Sequence, residues 1–210
     1  MTRNSKIALA VIILVLVVDQ VVKILVKTNM QLGDEVAVFG DWFKIHFVEN
    51  PGMAFGMRLG SGDWAKIALS LFRIIAVGAI GYYLNKVCHT EGKTGYVVCL
   101  ALVLSGAVGN IIDSIFYGLL FDSSLGQVAT FLPDNGGYAG LLHGRVVDML
   151  YFPLIEGRFP NWFPLWGGES FVFFRPVFNI ADSAISVGIV LILLLYRTNL
   201  STDLASESEQ

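Results

Sequence analysis

Apolar residues fall along this chain in four long runs, and their spacing predicts its architecture. The run at 7–27 is long enough to cross a hydrocarbon core of about 30 Å at about 1.5 Å per residue. Comparable runs occupy 64–86, 95–118 and 177–197. A single α-helical membrane domain with four transmembrane helices is predicted. The first run has the basic start of a leader peptide in Arg3 and Lys6, but no small-x-small cleavage site follows, and Asp19 and Lys23 interrupt its apolar part. It reads as a retained helix.

The connections between the runs differ in kind. In the segment 28–63, Ile45 and Phe47 alternate with Lys44 and His46, the period of a strand half-covered on one face. A small external β-cradle resting on the membrane is predicted there. The segment 119–176 is rich in Gly, Pro and aromatics, with a turn cluster at 133–137 and an interface-seeking stretch at 160–166. Its extra material, around 119–143 and 153–176, either lies along the membrane surface or covers a site. The tail 198–210 is polar and acidic and is given no role. Arg3, Lys6, Lys86, Lys93 and Arg197 all fall on one side of the predicted spans. The positive-inside rule makes that side cytoplasmic, with both termini, and puts the two long connections outside.

Composition narrows the class further. With 55% hydrophobic and 15% charged residues and a mean hydropathy of +0.66, the chain is too apolar for a soluble domain of its size. A net charge of −3 without a concentrated basic patch argues against nucleic acid as a partner. Cys88 and Cys99 form no CxxC or Cys/His cluster, and His46, His89 and His143 are far apart. Free structural thiols, no metal, no cofactor and a monomer surrounded by membrane lipids are expected.

The chemistry is carried by polar residues where the hydropathy pattern does not want them. An Asp at a helix centre costs about 3 kcal/mol on insertion scales, less toward the ends. Asp19 and Lys23 share one face of the first helix at i,i+4, which suits a neutralising pair with a structural or orienting role more than direct chemistry. Gly106, Gly109, Asn110 and Asp113 recur at i, i+3, i+4 and i+7 on the third; the glycines permit close helix packing, while Asn110 and Asp113 either support the site or touch substrate. Asn179, Asp182 and Ser186 share a face of the fourth, expected to look into the bundle. Asp148 follows a short β-branched run at the outward side. Asn50 and Gly52 end the cradle in a turn that says little alone.

Taken together, five ordered motifs resemble the lipoprotein signal peptidases, also called signal peptidase II. They are Asp19-Gln20-x-x-Lys23, Asn50-x-Gly52-x-Ala54-Phe55, Gly106-x-x-Gly109-Asn110-x-x-Asp113, Gly144-x-Val146-Val147-Asp148 and Phe178-Asn179-x-Ala181-Asp182. The resemblance implies an aspartic endopeptidase of the bacterial inner membrane that cleaves lipid-modified prolipoproteins just before a diacylglyceryl-bearing cysteine. It implies Asp148 and Asp182 as the catalytic pair, and Asp19, Lys23, Asn50, Gly52, Asn110, Asp113 and Asn179 as binding or supporting positions. The chain departs from the pattern at Ser114, where the family usually has Arg, and Gly56 stands where the cradle motif often ends in Ser. Arg145 is a candidate replacement for that Arg, or a ligand for a lipid phosphate.

Three rival readings remain at this level. A small transporter or channel would use Asp19, Lys23, Asp113 and Asp182 as a charge relay, but no repeat halves or broken helices occur. A scaffold would use the carboxylates only to bind partner helices. The Gly-x-Gly-Asp intramembrane proteases fit poorly, because Asp148 follows Arg145-Val146-Val147 and Asp182 follows Asn179-Ile180-Ala181.

Overall fold

The computed structural model describes residues 1–51, 63–90, 93–173 and 175–199. The Gly52 position and the tail from 200 onward lie outside the described residues. Among the described residues, three helices are long and apolar enough to cross a membrane. They are α1 (Arg3–Lys27), the Ser70–His89 part of α2 (Asp63–His89), and α3 (Thr94–Ile112) continued by a π-helical turn (Asp113–Tyr117) and the short α4 (Gly118–Leu120). A fourth apolar helix, α5 (Ile180–Leu195), has 16 residues.

The helix α1 is inverted relative to one in a water-soluble protein. Its exposed positions include Leu9, Ile13, Leu14, Val17, Val21 and Leu25, whereas Asp19, Lys23 and Lys27 are at most 1% exposed. The i,i+4 spacing puts these three charges on one inward stripe. Apolar side chains facing outward suit a hydrocarbon solvent, and buried charges demand partners inside.

The external strands form a four-stranded antiparallel sheet in the order β1 (Glu35–Phe39), β2 (Phe43–Asn50), β3 (Val146–Tyr151), β6 (Val177–Phe178). The central pairing aligns Val48 with Asp148 and Asn50 with Val146. Asp148 therefore stands on a central strand, better fixed than its place after a long loop suggests. The strand β6 pairs Phe178 with Leu150, so the fourth apolar run is strand at 177–178 and helix only from Ile180. Asn179 marks the change: its side chain accepts the backbone N–H of Asp182, and Asp182 answers to the backbone N–H of Asn179, a reciprocal cap.

Two apolar clusters lie on either side of a polar centre. One joins Ala8, Leu84, Tyr96, Leu100 and Ile192 at the helix ends far from the sheet. The other joins Val26, Phe47, Tyr117, Phe121, Val147 and Met149 beneath the sheet. Phe121 and Ala129 of the long connection belong to this second cluster, and Val128 bridges to Gln31. The first half of the connection is thus packed into the fold. The second half forms a separate hairpin, β4 (Ile155–Arg158) with β5 (Ser170–Phe173), closed by stacked Phe159, Phe163 and Trp166.

Helices α3 and α5 meet through small residues. A side chain at Gly106 would place its Cβ 2.2 Å from the carbonyl oxygen of Ala181, so only glycine allows this approach. The buried face of α5 accordingly runs through Ala181, Ala184, Gly188 and Ile192. Ser186 is exposed, so the face expected to hold Asn179, Asp182 and Ser186 together does not point inward as a unit. Asn179 and Asp182 reach the interior because they cap the helix start.

Candidate active site

The two aspartates arrive from different elements, Asp148 from β3 and Asp182 from the first turn of α5, and one side chain joins them. The amide of Asn179 donates to Asp148 Oδ1 at 2.7 Å, while its Oδ1 accepts the Asp182 backbone N–H at 2.8 Å. Each carboxylate has a further amide donor. Asn50 Nδ2 lies 3.2 Å from Asp148 Oδ2, and Asn110 Nδ2 lies 2.7 Å from Asp182 Oδ1. Three asparagines singled out by the motifs therefore converge on the pair.

Asp148 is 3% exposed. Burial, and after it the neighbouring Asp182 carboxylate, push its pKa up to about 7, against the pull of the Asn50 and Asn179 amides. Asp148 thus holds a proton through much of the range in which an ordinary aspartate is ionised. Asp182, at the N-terminus of α5, faces backbone N–H groups and the positive end of the helix dipole.

Behind the pair lies a second, fully buried centre. The three ammonium protons of Lys23 go to Asp19 Oδ2 at 2.9 Å, Asp113 Oδ2 at 2.9 Å and Asn110 Oδ1 at 3.0 Å. Gln20 Nε2 spans the two carboxylates at 3.1 and 2.9 Å, and Tyr117 donates to Gln20 Oε1. Asp19 accepts the backbone N–H of Ala181 at 2.9 Å, and Asp113 accepts that of Val147 at 3.2 Å. Ala181 and Val147 are the residues immediately before Asp182 and Asp148. The Lys23 centre therefore grips the backbone of both aspartates one residue upstream.

The π-helical turn makes one of those grips reachable. A wider turn at Asp113–Tyr117 breaks the α-helical register. Gly144, whose N–H bonds to Ser114 O at 2.9 Å, lets the start of β3 lie against it: a Cβ there would stand 2.0 Å from Asp113 O.

Two further cations occupy places that the sequence motifs did not assign. Lys27 continues the stripe of Asp19 and Lys23; its ammonium pairs with Glu49, bonds Ser124 Oγ at 2.8 Å and lies 5.1 Å from the Tyr138 ring centre. Burial would raise the pKa of Glu49, but the Lys27 ammonium outweighs it and holds the carboxyl below its ordinary value. The i,i+4 continuation from Lys23 was the available signal. Arg145 also binds Glu49, at 3.1 Å, from an outward, 44% exposed position. The guanidinium that meets Ser114 comes instead from Arg73 on α2, with Nη1 at 3.5 Å from the hydroxyl. Nothing in the sequence singled out Arg73 beyond its charge in an apolar run.

Among the described residues no cluster of three or more His, Cys, Asp and Glu is arranged to hold a metal ion, and Cys88 and Cys99 are both free thiols. The side chains bonded to the two aspartates are the amides of Asn50, Asn110 and Asn179.

Comparison with known proteins adds a family to this geometry. The chain is 57% identical over 199 residues to a lipoprotein signal peptidase of Porphyromonas gingivalis, covering 94% of this chain and 86% of that protein. It is 39% identical over 191 residues to a lipoprotein signal peptidase of Amoebophilus asiaticus, covering 90% and 76%. Its fold is similar to that of a bacterial membrane enzyme solved by the in meso method at 2.3 Å resolution, with a TM-score of 0.59 at 23% identity over 93% of this chain and 90% of that one. A family profile described as Signal peptidase (SPase) II matches residues 11–197, so nearly the whole chain, including the strand and helix that bear the two aspartates, belongs to the signal peptidase II family.

Proposed function

We propose that this chain removes signal peptides from prolipoproteins by cutting before a cysteine that already carries a diacylglyceryl group, with Asp148 and Asp182 as its catalytic pair. The observation that carries this reading is the asymmetric carboxyl pair joined through Asn179, set where the helices meet the external sheet. Two neighbouring carboxylates do not both ionise cheaply, so they share one proton at working pH. Asp148, pushed toward 7, holds it. Asp182, in its ionised form, takes a proton from an attacking water as that water's oxygen bonds to the scissile carbonyl carbon. Asp148 donates its proton to the carbonyl oxygen, and collapse of the tetrahedral species breaks the C–N bond and returns a proton to the leaving amine. Asn110 and Asn179 orient the carboxylates, and Asn50 ties Asp148 to the cradle.

The substrate is amphipathic in the same sense as the site: an apolar signal helix followed by a lipid-bearing cysteine. A helical frame with outward-facing apolar residues lets such a chain approach sideways within the bilayer. We read α5 as the fourth span: at about 1.5 Å per residue its 16 residues reach about 24 Å, less than a full hydrocarbon core, which suits a capped outer end below the headgroups. The chain sits in the bacterial inner membrane as a monomer, with both termini cytoplasmic, lipid around it and the pair near the outer face. A reporter enzyme fused after Asn135 is expected to score as external; a cytoplasmic score would overturn the orientation.

The test of the activity is a gel-shift assay with purified enzyme and one prolipoprotein in two forms, with and without its diacylglyceryl group. Cleavage of the lipidated form alone, or at least about a hundredfold faster, is expected; equal cleavage of both would remove lipid recognition from the reading. Run across pH, the same assay reports the shared proton. The sign follows from Asp148, whose proton is needed: above about 7 it is lost and the rate falls. On the acid side the rate falls when the partner carboxylate also protonates. A rate that climbs steadily from pH 7 to pH 9 would exclude Asp148 as the proton donor.

A further inference from the structure

Among the described residues, the buried charges at and behind the catalytic pair leave a negative excess, which a cation on α2 reduces. Asp19 and Asp113 outnumber Lys23 by one, and all three ammonium protons of Lys23 have acceptors. The pair itself, sharing one proton, adds another negative charge. Among the described residues, the side chains bonded to it from β2, α3 and the start of α5 are the neutral amides of Asn50, Asn110 and Asn179.

Arg73 offsets part of this imbalance. It stands on α2 between outward-facing Leu71, Phe72, Ile74 and Ile75, in a helix where an unpaired cation is costly. Its own side chain is partly buried and turns to the bundle, where Nη1 meets Ser114 Oγ at 3.5 Å. That hydroxyl is in turn anchored on the carbonyl oxygen of Asn110 at 2.9 Å, and Asn110 is the residue whose amide holds Asp182. The carboxylates of Asp182 and, more weakly, Asp148 act electrostatically on the guanidinium.

We propose that Arg73 is the positioning cation of the catalytic pair: reaching across from α2 to Ser114, it keeps one of the two aspartates ionised while the other holds the proton. This rests on the assignment of Asp148 and Asp182 as the pair. A guanidinium suits the task because it stays charged at every working pH and is more weakly hydrated than an ammonium, so it tolerates a site at the edge of lipid. Lys23 also acts electrostatically on Asp148, but its charge is already outnumbered by Asp19 and Asp113, and its three hydrogen bonds go to them and to Asn110.

The experiment compares the parent enzyme, R73Q and R73K in kcat, KM and pH profile on a lipid-modified prolipoprotein, with D148N and D182N beside them. Removing the cation makes ionisation of the pair harder, so the acid limb of the R73Q profile is expected to move up by about one pH unit. Its kcat falls about tenfold or more, with KM changed by less than about threefold. R73K, which keeps the charge, is expected to keep the limb in place and recover most of kcat. S114A, which loosens the guanidinium, moves the limb in the same direction by less. Each variant is melted in the same detergent, and R73Q is expected to melt at or above the parent because it takes a charge off an apolar helix. An R73Q profile superimposable on the parent's would overturn the proposal, as would R73K and R73Q equally impaired with the limb unmoved. If the limb stays put while D148N and D182N are inactive, the role of Arg73 fails alone; if either Asn variant turns over, the pair itself fails.

Discussion

Asp182→Asn and Asp148→Asn are each expected to lower the single-turnover rate on a lipid-modified prolipoprotein by at least about a thousandfold, with little change in melting temperature. The two halves of that expectation come from different observations. Asn keeps the shape of Asp but neither accepts a proton from water nor gives one to a carbonyl oxygen. At position 182 the carboxylate accepts from Asn110 Nδ2 and from the Asn179 backbone N–H. An amide supplies only one acceptor oxygen, so one of these contacts is lost, at about 1 kcal/mol. At position 148 the two oxygens accept amide protons from Asn179 and Asn50, so an amide there loses one of these contacts as well. Either substitution also ends the repulsion between two carboxyl groups, which offsets part of the loss. Turnover within about tenfold of the parent by either variant, measured with its melting curve, would remove that residue from the reaction.

That expectation rests on residues the sequence offered, and the physical reason they could be read is local. The faces bearing Asp19 with Lys23, and Gly109 with Asn110 and Asp113, follow from the 3.6-residue period alone, and membrane helices make polar residues conspicuous. The reciprocal cap of Asn179 and Asp182 is just as local, yet the apolar run hid it and the two residues read as one face of a longer helix. What was not legible depends on contacts far apart in the chain. That Asp19 grips Ala181, 162 positions away, and that Asp113 grips Val147 are facts of packing. So is the meeting of Arg73 with Ser114, which leaves Arg145 to Glu49. The π-helical turn at Asp113–Tyr117 leaves no mark in a hydropathy pattern. The strand at Val177–Phe178 was absorbed into an apolar run because two β-strand residues before a helix look like more helix.

The same long-range contacts decide between an enzyme and the relay of charges that a transporter would need. A relay requires successive polar groups leading out of the bundle toward both sides. Here the Lys23 centre is closed toward the far helix ends by the cluster of Ala8, Tyr96, Leu100 and Ile192. Its polar contacts lead instead sideways, through Asn110, to the aspartate pair. Four motifs thus converge on one place, with the backbones of Ala181 and Val147 as the common object.

Lys23→Met is expected to damage stability and activity together, and more than any other single change in the buried centre. The ammonium is 0% exposed and is the only cation bonded to Asp19 and Asp113 among the described residues. Methionine nearly matches its length and suits an apolar helix, so the loss is of charge rather than volume. Two buried carboxylates are then left facing each other through Gln20, and breaking a buried ion pair by removing one partner costs about 3–5 kcal/mol. That is a large share of the about 5–15 kcal/mol by which folded domains are commonly stable. The carboxylates escape by taking up protons or turning away, and either response loosens the N–H groups of Ala181 and Val147. The aspartate pair then loses its spacing, so the rate falls by much more than the folded fraction does. The triple variant K23M/D19N/D113N separates the two effects. It removes the uncompensated charges while leaving an amide oxygen at each position to accept the backbone N–H, so it is expected to recover at least half of the lost melting temperature. A Lys23→Met enzyme with the parent's melting curve and rate would show that the buried centre does not hold the pair, and a triple variant no more stable than Lys23→Met would show that unpaired charge was not what unfolded it.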